Sequence, residues 1–542
     1  MKCDRLLDQV SAQAVGFPYL RAALAPASEY GDRVFAELVP YLPGQEDAAR
    51  VRASKIAGIA RALAPAQLDT AREIFRNVPD AASAIARASM GDTLRDADFL
   101  ELQRCFDACA RIDVLCRDTG LPACVNDGVL ACARALEIGR AGKLGFYLSD
   151  AFESELAAAR SEFGRAQAEY DAVRGRSNAR IAQALGREIS GTEFIVMRVD
   201  VRGPLPTGVR VVREAPTYFL CEFDADEATL AALERRDACA TAVAIAEEAT
   251  RGNLSYAVRS NAAALDVATR ALGEIDVLVT AARFAQTHDC VVPTIVERTA
   301  IAFADGRFVP LVRELEREGR AFTPITVALD DVAVLTGPNM GGKSVCLKTC
   351  GFIAMCAAFG LPVPANVATC ALFDEIAWLG IGDGENGGLL SSFAQEIVRL
   401  RDVLARERTR RFVLLDEFAR TTTPREGGAL LAAVIGRLHA MRVTGIAATH
   451  LAGIAAGSAK HLAVRGLRGI PHPPTTTNLS DALAALAASM DYTIEEVRED
   501  TADRSDAIAL ASLLGLDEGL VQSAYRELRS LSGRSSSARA GE

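Results

Sequence analysis

The sequence contains few aromatic residues and no hydrophobic run long enough to cross a membrane. Only 6% of its 542 residues are Phe, Trp or Tyr, although 50% are hydrophobic. Such a core is typical of helices that pack through small side chains, and we expect a largely helical body. The most apolar stretch, residues 350–361, is shorter than the ~20 residues that a transmembrane helix needs. No membrane segment is therefore predicted.

A basic excess and a cysteine framework are also missing. The formal net charge is -10 and the pI about 5.3, which disfavours a chain that is basic throughout for binding nucleic acid. The 13 cysteines include no CxxC pair, and the first four residues do not begin an apolar leader. A cytoplasmic location fits both observations. Cys105, Cys109 and Cys116 share a helical face and are interpreted as buried small hydrophobic residues rather than metal ligands.

Turn signals and hydrophobic periodicity divide the chain into five predicted regions. They are an N-terminal helical region at 1–145, a helical core with an arm at 146–298, an α/β domain at 299–480, a helical appendix at 481–531 and a disordered tail at 532–542. The arm would contain long helices at about 151–185 and 225–286, the second interrupted near Gly252, around a strand-bearing tip at 192–223. A plain helical bundle remains the alternative.

Strands and helices alternate after residue 293. Apolar segments at 327–335, 412–415 and 445–448 predict strands, and helices are expected to begin near Lys343 and Glu426. This alternation is typical of a mostly parallel sheet.

A phosphate-binding loop pattern follows the first of these strands. Residues 337–344 match G-x-x-x-x-G-K-S between a strand and a helix. Gly337 and Gly342 permit positive φ, so that successive N–H groups can face the phosphates. Lys343 would contact the β- and γ-phosphates, and the Ser344 hydroxyl would bind Mg²⁺. ATP and Mg²⁺ are therefore the predicted cofactors. The predicted nucleotide-binding residues of this segment are Gly337, Pro338, Asn339, Met340, Gly341, Gly342, Lys343, Ser344 and Val345.

Two adjacent carboxylates end the second strand. A buried strand would present Asp416 rigidly to Mg²⁺, and Glu417 would orient or deprotonate the attacking water. An acidic pair alone is a weak signal, but after a phosphate-binding loop it predicts a hydrolytic site.

His450 ends the third strand. A lone histidine is more often structural, but this position favours a hydrogen bond to the γ-phosphate. The predicted catalytic residues are therefore Glu417, His450 and Lys343.

Four segments together resemble the ATPase domain of the MutS family. They are TGPNMGGKS at 336–344, GLPVPA at 360–365, DEFARTTTPREG at 416–427 and ATH at 448–450. Residues 271–295 resemble the helix that couples ATPase and clamp in that family. The resemblance covers about residues 150–528. It implies an α/β P-loop NTPase domain of the ABC-like, MutS type beside a largely α-helical core or lever with a long-helix clamp arm.

The same resemblance implies a composite site, a homodimer and a dimerisation role for residues 481–531. In the family, a Ser-Thr-Phe segment reaches the partner's nucleotide, and Ser391 and Ser392 occupy that place here. Arg420 lies in the loop that the family places between subunits. Phe322 matches the aromatic residue that stacks on adenine, although a core role is nearly as consistent.

Departures from the family pattern narrow the expected function. The family loop Gly-Arg-Gly-Thr-Ser reads ARTTT at 419–423, and the Cβ atoms of Ala419 and Thr421 are expected to restrict positive φ. An N-terminal Phe-x-Glu wedge for reading mismatches is not expected. Nothing at 483–542 resembles the nuclease module of the second bacterial MutS paralogue, so that branch fits poorly.

Two functions remain open for a dimeric ATP-driven switch of this kind. The short length, the acidic pI and the segment DEFARTT resemble the ATPase subunit found with adenosylcobalamin-dependent lysine 5,6-aminomutase, which implies reactivation of that partner enzyme. The alternative is a DNA-structure or repair-related DNA-binding protein, in which the eight Arg and five acidic residues of 172–223 would contact phosphates.

Overall fold

The secondary structure comes from a computed structural model of the chain. It describes residues 1–141, 145–189, 191–338, 342–380, 392–406, 410–451, 454, 460–467, 490–497, 508, 511–512 and 516–538. The helices are α1 (Gln9–Ala14), α2 (Phe17–Ala23), α3 (Glu29–Glu37), α4 (Glu46–Ala62), α5 (Pro65–Asn77), α6 (Ala82–Met90), α7 (Asp96–Leu115), α8 (Asp127–Glu137), α9 (Ser154–Ala184), α10 (Glu227–Ser260), α11 (Ala262–Thr287), α12 (Val309–Arg317), α13 (Lys343–Ala358), α14 (Ser392–Ala405), α15 (Pro424–Ala440) and α16 (Glu518–Ala538). The strands are β1 (Arg140–Ala141), β2 (Gly145–Phe146), β3 (Glu193–Met197), β4 (Val209–Glu214), β5 (Tyr218–Phe223), β6 (Thr294–Val296), β7 (Ile301–Gly306), β8 (Ile325–Leu329), β9 (Val332–Thr336), β10 (Val367–Ala371), β11 (Glu375–Gly380), β12 (Arg411–Asp416), β13 (Thr444–Ala448), β14 (Lys460–Leu467) and β15 (Met490–Glu496).

The chain forms two compact units. Unit 1 contains residues 1–76, 115–121 and 273–542, and unit 2 contains residues 77–114 and 122–272. The predicted N-terminal helical region at 1–145 is thus divided between the units, because its first part packs with the C-terminal half of the sequence.

Unit 1 is built on a six-stranded sheet in the order β11-β12-β13-β9-β14-β15. Neighbouring strands from β11 to β14 are parallel, and β15 is antiparallel to β14. Because both faces of β9, β12 and β13 are covered, the central residues of these strands are apolar without alternation, and polar residues occur only at the strand ends. This confirms the expected mixed α/β character of the C-terminal half.

The predicted strand at 327–335 is two strands in two different sheets. β8 belongs to a second sheet of order β6-β10-β7-β8, whereas β9 lies inside the six-stranded sheet. Asp330 and Asp331 separate them, and the Asp331 carboxylate accepts a hydrogen bond from the Val332 N–H at 2.7 Å. Two consecutive carboxylates are unfavourable inside a buried strand, so the chain turns there and β8 and β9 are separate strands.

The N-terminal segment covers the outer edge of the six-stranded sheet. The Ile376 N–H of β11 donates to the Leu6 carbonyl at 2.9 Å, and the Trp378 N–H donates to the Ser11 hydroxyl at 2.8 Å. Asp8 caps α1 by accepting the Ser11 N–H. An edge strand that would otherwise expose its donors is therefore satisfied by residues more than 360 positions earlier.

Within unit 1, Asp276 on α11 forms hydrogen bonds with the same N-terminal region. Its fully buried carboxylate accepts hydrogen bonds from the N–H groups of Ala27 and Ser28 and from the Ser28 hydroxyl, at 2.7–3.2 Å. Gly31 is needed beside it, since a Cβ there would lie 2.5 Å from the carboxylate.

Asp276→Ala should destabilise unit 1 by about 2–4 kcal/mol, because it leaves three donors without their acceptor. Asp276→Asn, which keeps one acceptor oxygen, should lose less. Urea unfolding followed through the fluorescence of Trp378 measures both variants. An unchanged midpoint for Asp276→Ala would contradict this role.

Unit 2 contains the two long helices α9 and α10 and a three-stranded antiparallel sheet of order β3-β5-β4. The alternating burial of β3 places Phe194 and Val196 in a small core with Cys221. The expected interruption near Gly252 is wrong: α10 continues to Ser260 and the break falls at Asn261. An exposed glycine costs a helix only ~1 kcal/mol, which the packing of α10 along α9 outweighs.

The C-terminal region also differs from its prediction. β15 is a strand inside the predicted helical appendix, and α16 extends over residues 532–538 of the predicted tail. Alternation in the segment MDYTIEE, which forms β15, is the signal that was missed.

The Phe-x-Glu pattern does occur in the N-terminal region, at residues 35–37 and again at 99–101. The two triplets lie in α3 and α7, and the Phe35 and Phe99 side chains are buried. A buried ring cannot be inserted between bases, so neither triplet supplies a wedge.

All thirteen cysteines are free, and all except Cys239 and Cys290 are buried, which supports their interpretation as small hydrophobic residues. Among the helices that the structure describes, none combines the length and the hydropathy of a membrane span.

Candidate nucleotide-binding site

The three strands that carry the predicted site end side by side. Asp416 of β12 and Leu335 of β9 are both in register with Ala448 of β13. Parallel strands present their carboxyl ends at one edge of a sheet, so the loops after them share a single surface. The sheet order therefore brings together segments that lie up to about 110 residues apart in the sequence.

Lys343 is the first residue of α13 and its side chain is only 4% exposed. Its ammonium group donates to the carbonyls of Gly337 and Pro338, both at 3.0 Å, and lies 3.7 Å from Glu417 Oε1. Burial lowers the pKa of Lys343, opposed by the charges of Glu417 and Asp416. A desolvated ammonium enclosed by loop carbonyls is a strong anchor for an entering phosphate.

Ser344 and Asp416 form a direct contact. The Ser344 hydroxyl donates to Asp416 Oδ1 at 2.9 Å. Burial raises the pKa of Asp416, and the Ser344 hydrogen bond opposes that shift. A hydroxyl and a carboxylate oxygen side by side are hard ligands of the kind that Mg²⁺ prefers, so the pair fits this ion. Among the described residues there is no group of three or more His, Cys, Asp or Glu side chains arranged for a metal.

Glu417 follows β12 in an unusual backbone conformation. Its φ is 50°, and its N–H donates to the Ala448 carbonyl at 3.0 Å. Its carboxylate lies between two cations, since Oε1 faces Lys343 and Oε2 accepts from Arg420 at 3.1 Å. The Asp416 and Glu417 side chains thus diverge, with one towards Ser344 and the other towards Lys343.

Arg420, predicted to act across a dimer, pairs with Glu417 of its own chain in this structure. Its side chain is 54% exposed. The contact with a partner subunit stays a prediction.

Ala419 corrects the expectation for the loop after β12. It adopts a φ of 63° despite its Cβ, and it is buried. Loss of the family glycine has therefore not removed the left-handed conformation at this position. Thr421 has no positive φ.

The remaining predicted residues are placed less completely. His450 is the second residue after β13 and has an exposed side chain, Val345 lies in the first turn of α13, and Phe322 is half-buried ahead of β8. Ser392 begins α14, but its side chain lies outside the described residues. Asn339, Met340, Gly341 and Ser391 also lie outside them. Their predicted roles stay predictions.

Two glycines bracket the loop where the backbone needs them. Gly337 has a φ of 152°, and a Cβ there would lie 2.9 Å from Val464 of β14. Gly342 has a φ of 83°, and a Cβ there would lie 3.1 Å from the Tyr492 ring of β15. β14 and β15 thus support the loop from beside β9.

Two residues at the site were missed by sequence reasoning about function. Tyr492 was assigned to a helical segment, although the alternation of β15 indicated a strand. The second is Glu396 on α14, whose carboxylate accepts the Ala419 N–H at 3.0 Å. No local sequence pattern predicts this hydrogen bond, because it joins residues 23 positions apart.

The C-terminal part of this chain is similar to a known family. Residues 333–532 match the family described as MutS domain V. The endonuclease MutS2 of Carboxydothermus hydrogenoformans is 37% identical over 190 residues, which cover 34% of this chain and 23% of that protein. The DNA mismatch repair protein MutS of Dinoroseobacter shibae is 28% identical over 500 residues, which cover 86% of this chain and 54% of that protein.

The DNA mismatch repair protein MutS of Paracoccus denitrificans is 32% identical over 285 residues, 51% of this chain and 31% of that protein. The chain spans between 23% and 54% of the length of the three curated relatives described. Two of them are named as DNA mismatch repair proteins and one as an endonuclease, and the last carries the name of the MutS2 branch that was expected to fit poorly. Their names favour the DNA-binding alternative over reactivation of an aminomutase.

Proposed function

We propose that this chain, whose residues 333–532 match MutS domain V, is a MutS-family ATPase that acts on DNA as a dimeric ATP-driven switch. The observation that carries the proposal is the arrangement of Lys343, Ser344, Asp416 and Glu417 at one edge of the sheet, with Lys343 3.7 Å from Glu417 and Ser344 2.9 Å from Asp416. A phosphate anchor, a magnesium ligand pair and a general base are thus assembled in one place.

Each of these residues has a distinct role in hydrolysis. Lys343 exchanges its bonds to the loop carbonyls for the β- and γ-phosphate oxygens when ATP binds. Ser344 and Asp416 would hold Mg²⁺, which when bound would neutralise charge on the phosphates. Glu417, released from Lys343 by the incoming phosphate, accepts a hydrogen bond from the attacking water and takes its proton.

The site is completed by a second copy of the chain. Support comes from the family resemblance of residues 391–393 and from the position of Ser392 at the start of α14, where N–H groups and hydroxyls suit a γ-phosphate. His450 would report the same phosphate from the end of β13. ATP would then bind between two subunits and close the dimer.

The three-stranded tip of unit 2 is the proposed DNA-contacting segment. The arginine excess of 172–223 comes from residues 172–192, just before the tip, since 193–223 hold four Arg and four acidic residues. Within the tip, Arg202 and Arg213 are exposed. Part of this charge is neutralised locally, because Arg198 pairs with Glu214 and Arg180 pairs with Asp226. DNA binding at this tip should therefore be modest and salt-sensitive.

ATP turnover is expected to rise when linear, branched or mismatched duplex DNA is added, and DNA affinity is expected to fall with rising salt. Arg213→Glu should weaken DNA binding. It should also reduce the slope of log affinity against log salt concentration by the amount expected for the loss of about one phosphate contact. Arg317→Glu, an equal charge change at an exposed position of unit 1, is the matched control. Fluorescence anisotropy with labelled duplexes, together with phosphate release, measures both quantities.

Unchanged turnover with every DNA substrate, or equal effects of the two charge reversals, would contradict the DNA proposal. ATP-dependent recovery of an inactivated adenosylcobalamin-dependent aminomutase in the same preparation would replace it with the reactivase function. The ATPase assignment is separate from both, since it depends on the four site residues alone.

A further inference from the structure

The loop after β12 holds two departures from ordinary backbone geometry, on either side of Phe418. Glu417 has a φ of 50° and Ala419 a φ of 63°, and neither residue is glycine. Such conformations are unfavourable for residues with a Cβ and persist only when surrounding contacts hold them. Ala419 is 2% exposed, so its N–H also needs a protein acceptor.

Glu396 supplies that acceptor. Its Oε2 accepts the Ala419 N–H at 3.0 Å, and the side chain is buried. Its other oxygen, Oε1, is buried without a hydrogen-bond partner in the part of the chain that the structure describes. Burial raises the pKa of Glu396. The Glu396 carboxyl group is thus buried, which is unfavourable for its charged form, and its hydrogen bond is with the N–H of the strained residue Ala419.

The helix that carries Glu396 is also held by a contact with the N-terminal segment. Arg399, three residues further along α14, donates to Asp8 Oδ1 at 2.8 Å in the N-terminal segment. α14 is therefore a fixed support from which Glu396 reaches the loop. Gly427 closes the loop from the other direction, because a Cβ there would lie 3.0 Å from the Ala419 carbonyl.

We propose that Glu396 is a positioning residue for hydrolysis, which holds Ala419 in its left-handed conformation and thereby aims the Glu417 carboxylate at the attacking water. This inference rests on the ATPase function proposed above and deepens it. It also joins two parts of the site, since α14 begins at Ser392, the residue expected to reach the partner's nucleotide. A shift of α14 on dimer closure would move the Glu417 loop through this hydrogen bond.

The test is a set of four variants assayed as full-length protein with Mg²⁺ and ATP. Glu396→Ala should lower kcat about 10-fold while the Kd for ATP changes less than about 3-fold, because Lys343 and Ser344 are untouched. Glu396→Gln keeps an acceptor oxygen for the Ala419 N–H and should stay within about 3-fold of the original kcat.

Ala419→Gly separates positioning from a general contribution to folding. Glycine adopts a φ near 63° without strain, so the Glu396→Ala/Ala419→Gly double variant should recover to within about 3-fold of Ala419→Gly alone. If Glu396→Ala does not fold by circular dichroism, the double variant decides: a folded, active protein supports the role.

Three results would overturn the inference: an unchanged kcat in Glu396→Ala, an equal loss in Glu396→Gln, or no recovery in the double variant whether or not it folds. Failure of the ATPase proposal itself is recognised separately. In that case the original chain would neither bind nor hydrolyse ATP, and no Glu396 variant would be informative about geometry.

Discussion

Glu417→Gln should lower ATP turnover by roughly 10²- to 10⁴-fold while ATP still binds. The amide has almost the same size as the carboxylate, and so the loop and the Lys343 pocket keep their shape. It cannot accept a proton at neutral pH, so the attacking water is no longer activated. Single-turnover hydrolysis and equilibrium binding of labelled ATP, measured side by side, separate the two effects.

The control for this variant is Glu426→Gln. Glu426 lies in the first turn of α15, and its exposed carboxylate accepts from the Thr423 hydroxyl at 2.8 Å. The same chemical change nine residues away should leave turnover within a few-fold of the original. A Glu417→Gln protein that hydrolyses ATP at the original rate would show that another group activates the water, and the assignment of the general base would be wrong.

Lys343→Ala should reduce ATP affinity by about 10²-fold or more, because a buried ammonium that contacts phosphate is lost. The same change leaves the Gly337 and Pro338 carbonyls without their shared donor and Glu417 without one of its two neighbouring cations. The loop that must face the phosphates therefore loses its internal support as well. Isothermal titration with ATP and Mg²⁺ measures the loss.

Lys460→Ala is the matched control for this change. Lys460 lies on β14 in the same unit and pairs with Glu496 at 3.1 Å on the surface. Its removal should leave ATP affinity nearly unchanged, since an exposed ion pair contributes about 0–1 kcal/mol. If Lys343→Ala binds ATP as tightly as the original chain, the phosphate-binding role of the loop is refuted.

Local patterns predicted the components of the site but not their contacts. The strand, loop and helix around Lys343 and the acidic end of β12 are readable because each lies within a few consecutive residues. The pairing of Ser344 with Asp416 follows from the known roles of such motifs. The distances between Lys343 and Glu417, and the pairing of Arg420 within one chain, depend on how the strands are ordered.

Errors arose where tertiary packing overrode local preference. α10 continues through Gly252 because α9 packs along it, and Ala419 keeps a positive φ because buried partners hold it. Similarly, β15 forms where a helix was expected, since it pairs with β14. In each case contacts with other segments decide the structure, and the periodicity of a single segment does not show those contacts.

By itself the sequence determined the G-x-x-x-x-G-K-S pattern between a strand and a helix, the strand-end carboxylates and the alternation of strands and helices, because these depend on the chemistry and spacing of near neighbours. Only the tertiary structure decided that residues 1–76 belong with the nucleotide site, that Leu6 and Ser11 cover the edge of β11, and that Glu396 holds Ala419. Those contacts join residues 23 to about 370 positions apart. They form because buried donors need acceptors, and the folded chain is what brings such acceptors within hydrogen-bonding distance.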